Sequence, residues 1–167
     1  MEVQFSSERQ SRILPMASHS PLHDLLAGTF DKVSKATSLY VHSARKVVPF
    51  DPERQYAPDE LEPYDALVTR FERTIEVFLK FFRTIELFET AESGSTVRDC
   101  LGLMCKLGII TDVEQWMEMR EVRNRIAHDY VPDRIKGIYE LLTTTYLPTI
   151  TRTLAAAQTY LAASGTR

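Results

Sequence analysis

Apolar residues recur at three- and four-residue intervals through most of this chain, and no segment alternates in twos between hairpin turns. The first periodic run is Leu22, Leu25, Leu26, Phe30, Val33, Thr37, Tyr40, Ala44 and Val47, an amphipathic helix that Pro49 ends. The following FDPERQYAPDELEP, with Pro52, Pro58 and Pro63, reads as a loop, and a second long helix starts between Pro58 and Pro63. Its face carries Leu67, Phe71, Ile75, Phe78, Phe82, Ile85 and Phe88, an aromatic-rich stripe. ESGST breaks the pattern at Gly94. Ser95 or Thr96 then caps a short third helix from about Val97 to Leu107, and Gly108 stops it. Thr111-Asp112-Val113-Glu114 fits a capping box in which the Thr111 hydroxyl and the Glu114 carboxylate satisfy free amides. This opens a fourth helix whose buried stripe is Trp116, Met119, Val122, Ile126 and Tyr130.

A fifth helix starts at Asp133, with Ile135, Ile138, Leu142, Tyr146, Ile150, Leu154, Ala157 and Leu161 inward, and Pro148 is predicted to kink or split it. The pattern therefore predicts an all-α protein, a four- to five-helix up-and-down bundle over residues 21–164. Residues 1–20 lack helical periodicity and contain Pro15, so they read as a flexible leader; Met16 is a candidate start.

The length of 167 residues suits one domain with a real core. Composition is ordinary for a globular chain, 44% hydrophobic and 26% charged, with no apolar run of the roughly 18 residues a membrane span needs. The start of the chain lacks the uninterrupted apolar core of a secretory signal. Cys100 and Cys105 are the only cysteines and read as core thiols of a reducing compartment, so the expected location is the cytoplasm. The net charge of -3 argues against a protein that coats nucleic acid, but not against one basic patch. Arg98, Lys106, Arg120, Arg123, Arg125, Arg134 and Lys136 follow the acidic first half closely; Arg98, Lys106 and Arg134 read as a solvated face. His19 and His23 share an i,i+4 spacing, but no acidic or cysteine ligand accompanies them, and no metal site is expected. Glycine-rich phosphate loops and serine elbows are absent, so no cofactor is expected.

The chemistry is concentrated in EVRNRIAHDY, residues 121–130, just before Pro132. His128 falls opposite the apolar stripe, on the same face as Asn124 four residues earlier. Arg123 lies at the edge of the stripe, about 140° from His128 on an ideal helix, too far for one straight helix to aim both at one phosphate. Either the last turn unwinds before Pro132 or a second copy of the helix completes the site. Arg125 and Asp129 form an i,i+4 surface pair. A histidine passes protons near neutrality, and a helix C-terminus favours its imidazolium form. Arginine offers a fixed fork of donors to phosphate oxygens. Together with an asparagine, these groups suit metal-free RNA cleavage, in which the 2'-hydroxyl attacks the adjacent phosphorus.

Arg123, His128 and Tyr130 reproduce the RxxxxHxY pattern of HEPN-domain proteins, and Asn124 matches its common RN form. By average composition this triple arises by chance in fewer than about one in a hundred such chains. RFERTIEVFLKFF and GIITDVEQWMEMREVRNRIAHDY also resemble the second helix and the motif helix of HepT-like toxins and related nucleotidyltransferase substrate-binding proteins. The resemblance spans roughly residues 22–162. It implies a HEPN-like bundle that dimerises with its motif helices face to face, forming a composite ribonuclease cleft. Arg123 and His128 would be catalytic, supported by Asn124. The implied partners are an RNA substrate and an MNT-type nucleotidyltransferase antitoxin, which transfers AMP from ATP to Tyr130 and so blocks RNA by bulk and charge. The proline-rich loop at 49–63 and the site of Pro148 depart from the compact family form. A different class of function fits the same residues: a noncatalytic substrate-binding subunit of a minimal nucleotidyltransferase.

Overall fold

The longest helix, α2 (Pro58–Thr90), is the spine on which the rest of the chain packs. The computed structural model describes residues 21–92, 94–126 and 132–164, the side chains of 132–134 excepted. All regular structure among them is helical: α1 (Pro21–Ala44), α2, α3 (Val97–Lys106), α4 (Val113–Ile126), α5 (Pro132–Glu140), a π-helical turn (Leu141–Tyr146) and α6 (Leu147–Ser164). The all-α expectation holds, and the contacts give an up-and-down order. On α1 and α2, Phe30 meets Phe81, Ala36 meets Thr74 and Tyr40 meets Phe71, so the two helices run antiparallel. Trp116 against Phe78 and Phe82, with Arg123 beside Glu76, makes α4 antiparallel to α2 as well. Tyr146 stacks on Phe71 and Tyr160 reaches Glu89, so the last helical stretch runs parallel to α2.

Three neighbours explain why α2 is so aromatic. Phe81 faces α1, Phe78 and Phe82 face Trp116 on α4, and Phe71 faces Tyr146; all are fully buried. A large side chain buried in this way stabilises the fold by about 1.5–3 kcal/mol. The single-stripe reading located Leu67, Phe71, Ile75, Phe78, Phe82 and Ile85 in the core but missed Val77 and Phe81. A helix flanked on several sides is apolar over more than one face. On α1 the reverse holds. Leu25 was expected inward, yet it is 49% exposed, because α1 packs on one side and Leu26 takes the inner position.

The helix ends show where local chemistry wins. Glu60, on the first turn of α2, accepts a hydrogen bond from the Ala57 amide, and Pro58 sits at the first helical position, where its missing N–H costs nothing. Thr96 caps α3 by accepting from the Asp99 amide, while the Ser95 hydroxyl turns to the Glu86 carboxylate. At the other end Gly108 takes φ +73°, and its amide donates to Cys105 while that of Ile109 donates to Met104, a Schellman closure. The capping box at Thr111 is corrected. Asp112 caps α4 by accepting from the Gln115 amide, and Glu114 instead pairs with both arms of Arg98 on α3. Gln115 accepts a hydrogen bond from Thr149 on α6. Cys105 is also corrected. Cys100 is buried but Cys105 is exposed, since residues five apart point about 140° apart and α3 packs on one side only.

Pro148 does interrupt the last helix, by a specific device. A proline removes one i→i−4 bond and crowds the carbonyl four residues back. Here the chain widens into the π turn before it, where the Leu147 amide donates to Leu142, five residues earlier. The loop between α1 and α2 is tied down as well. Phe50 stacks on Tyr56 at 4.9 Å and meets Tyr64 and Tyr139 edge-on, and the Arg54 guanidinium covers the Tyr56 ring.

Candidate functional site

α4 is fixed to the spine by Trp116, Met119 and Val122, none more than 2% exposed. That anchoring presents its C-terminal turn, with Arg123 and Asn124, along the first half of α2. Arg123 is half-buried and Asn124 exposed, as the helical projection of the sequence placed them. His128, Asp129 and Tyr130 lie outside the described residues, as do His19 and the leader. The expected pairing of Arg125 with Asp129 therefore falls there too. Arg98 is occupied by Glu114 and Lys106 is exposed, while the Arg134 side chain is outside the described set.

Arg123 stands between two depressions. One, about 370 Å³, is polar and lined by Thr69, Glu72, Arg73, Glu76, Arg123 and Asn124. The other, about 210 Å³, is largely apolar, and Arg123 forms part of its rim. Glu76 is common to both. Its carboxyl is held below the usual value by a hydrogen bond from Lys80 at 2.6 Å, then by the charges of Lys80, Arg73 and Arg123. Arg73 also approaches Glu76 at 3.4 Å. Three cations thus approach one carboxylate, and in the polar depression where α4 ends Arg73 and Arg123 face Glu72 and Glu76. The guanidinium fork of Arg123, with the donors and acceptor of Asn124 beside it, is of the kind that can hold a phosphodiester.

Reading the basic residues along the sequence placed the patch after position 94. The cations beside Arg123 come instead from α2, as Arg73, Lys80 and Arg83. Their signal was present, because positions 73, 76, 80 and 83 recur at helical spacing within an otherwise aromatic stretch. Glu86 was also missed: this buried acid, 5% exposed, accepts from Arg83 at 2.7 Å and from the Ser95 hydroxyl. His23 packs edge-on against Phe88, and no cluster of potential metal ligands occurs among the described residues. None of the described helices is long and apolar enough to cross a membrane.

A family model described as nucleotidyltransferase substrate binding protein like matches residues 35–159, well over half of the chain. The chain belongs to this family. As a nucleotidyltransferase substrate-binding-protein-like chain, it falls within the HEPN-like superfamily that the motif resemblance pointed to. The matched region runs from mid-α1 into α6 and contains Arg123, Asn124, His128 and Tyr130. A search of curated proteins returned no match.

Proposed function

We propose that this chain is a HepT-like toxin, a metal-independent endoribonuclease of the HEPN type, neutralised when a partner nucleotidyltransferase transfers AMP to Tyr130. The supporting observation is the half-buried Arg123, set beside Asn124 in a ring of cations around Glu76. In this reading the RNA 2'-oxygen attacks the neighbouring phosphorus and the bond to the 5'-oxygen breaks. The products are a 2',3'-cyclic phosphate and a 5'-hydroxyl. His128 moves the proton between the two oxygens, and Arg123 stabilises the charge that grows on the phosphorane. Asn124 orients the imidazole or a ribose hydroxyl. A homodimer, with α4 of each copy facing the other, overcomes the wide angle between Arg123 and His128. The exposed outer face of α4, including Glu118, Glu121 and Arg125, leaves room for it. AMP on Tyr130 adds an anion at the mouth of this site and repels the RNA backbone.

The family description favours a second reading, a noncatalytic substrate-binding subunit that works with a nucleotidyltransferase. RNA incubated with the purified chain in EDTA separates the two. Cleavage to cyclic phosphate ends, lost in His128→Ala with helicity intact, supports the nuclease. Intact RNA, together with tight binding to a nucleotidyltransferase, supports the subunit.

A further inference from the structure

Along the face of α2 that borders the end of α4, each cation already has a carboxylate. Arg73 approaches Glu76 at 3.4 Å and Lys80 donates to it at 2.6 Å, while Arg83 is held by the buried Glu86 at 2.7 Å. The sequence spacing produces the first two pairs. Positions 73, 76 and 80 are three and four residues apart, so they form one stripe of α2 about 10 Å long. Arg123 comes from another helix and lines the same two depressions as Glu76, yet it forms no ion pair among the described residues. Glu72, the second carboxylate of the polar depression, holds no cation among them either. Pairs between exposed side chains contribute little to a fold, and Arg73 and Lys80 are both exposed. The main effect of Glu76 therefore falls on what approaches from solvent. A polyanion laid along this edge meets one unengaged guanidinium and two cations that already share an anion. Taking either of those two means displacing Glu76, whereas Arg123 is open.

We infer that Glu76 is a specificity-determining residue of the proposed ribonuclease: by engaging Arg73 and Lys80 it leaves Arg123 as the phosphate contact of this edge, so that RNA is registered at one linkage instead of sliding along three cations. This rests on the ribonuclease reading. It makes a countable difference, because each backbone phosphate met by a cation adds about 0.7 to the steepness of log affinity against log salt for a single strand.

The test is fluorescence anisotropy of a labelled 2'-O-methyl RNA, which lacks the attacking hydroxyl and stays intact, titrated with the full chain over a range of sodium chloride. Glu76→Gln is expected to steepen the salt slope by about 1.4, two further phosphate contacts, so that its advantage over wild type grows about 25-fold for each tenfold fall in salt. Glu72→Gln removes the same charge from the same depression but frees no paired cation, and is expected to steepen the slope by less than half as much. Adding Arg73→Gln and Lys80→Gln to Glu76→Gln is expected to return the slope to the wild-type value. Should Glu76→Gln not fold, Glu76→Ala carries the same expectation, since alanine is the best helix former and the position is partly exposed. An unchanged slope in a folded Glu76 variant, equal steepening by Glu72→Gln, or a steep slope that persists in the triple variant overturns the inference. With RNA cleavage by the wild type intact, any of these leaves the nuclease standing; an oligonucleotide that neither wild type nor variant binds removes both.

Discussion

Tyr40→Phe tests how the bundle holds the turn on which α5 and α6 depend. Tyr40 is fully buried on α1, and its hydroxyl donates to the Leu142 carbonyl inside the π turn. That carbonyl also accepts the Leu147 amide, so the variant leaves it with one partner rather than none. The ring contact with Phe71 survives the substitution. The cost near neutral pH is therefore that of one ordinary hydrogen bond, about 1 kcal/mol. For a chain of this size that lowers the melting temperature by roughly 2–4 °C. Alkali changes the sign of the comparison. Burial, and then the neighbouring Tyr146, push the Tyr40 hydroxyl well above its ordinary 10.0. The folded state thus prefers the neutral phenol, and its stability is whole below pH 10 and falls as the unfolded chain ionises above it. At pH 11, one unit above the unfolded value, Tyr40 has withdrawn about 1.4 kcal/mol from the wild type and nothing from the variant. Tyr139 and Tyr146, also raised mainly by burial, are common to both proteins and cancel. Urea unfolding followed by circular dichroism should show the wild type ahead at pH 7 and the variant level or ahead at pH 11. An equal deficit at both pH values would refute a buried, proton-retaining Tyr40.

Asp112→Ala should cost about 1 kcal/mol in thermal unfolding, whereas Thr111→Ala should change little, because the α4 cap is the aspartate. For Glu76 the sign runs the other way from Tyr40. Its carboxyl is held below the usual 4.5, first by the Lys80 hydrogen bond, so its contribution is present above that value and is lost as pH falls through the lowered one. Glu76→Gln should accordingly flatten the fall in stability between about pH 4.5 and the acid limit, read from urea midpoints. Incubation with a partner nucleotidyltransferase and ATP should add the mass of AMP to the wild type and none to Tyr130→Phe; equal addition to both would remove Tyr130 from its role.

The helices were legible because burial imposes a period on the sequence, and the aromatic spine and Gly108 could be read directly, with the α3 cap narrowed to Ser95 or Thr96. What escaped depends on neighbours distant in the chain. Phe81 is inward because α1 lies opposite it, and Glu114 leaves its expected cap for Arg98 on the preceding helix. Pro148 announced a break, but the form of the break, a π turn held by Tyr40, needed α1 to be in place. At the candidate site, Arg123 and Asn124 were named from their motif. The α2 cations around Glu76 were not, since a charge run along the chain says nothing about charges brought together across helices.

The most direct test of the composite cleft uses two inactive variants. Wild-type chain should cleave RNA in EDTA, and Arg123→Ala and His128→Ala should each be inert alone. If the arginine of one copy works with the histidine of the other, mixed dimers hold one intact site. Refolding the two variants together at equal amounts should then restore about a quarter of wild-type activity. Either variant cleaving at the wild-type rate alone, or a mixture that forms dimers and stays inert, would contradict the account.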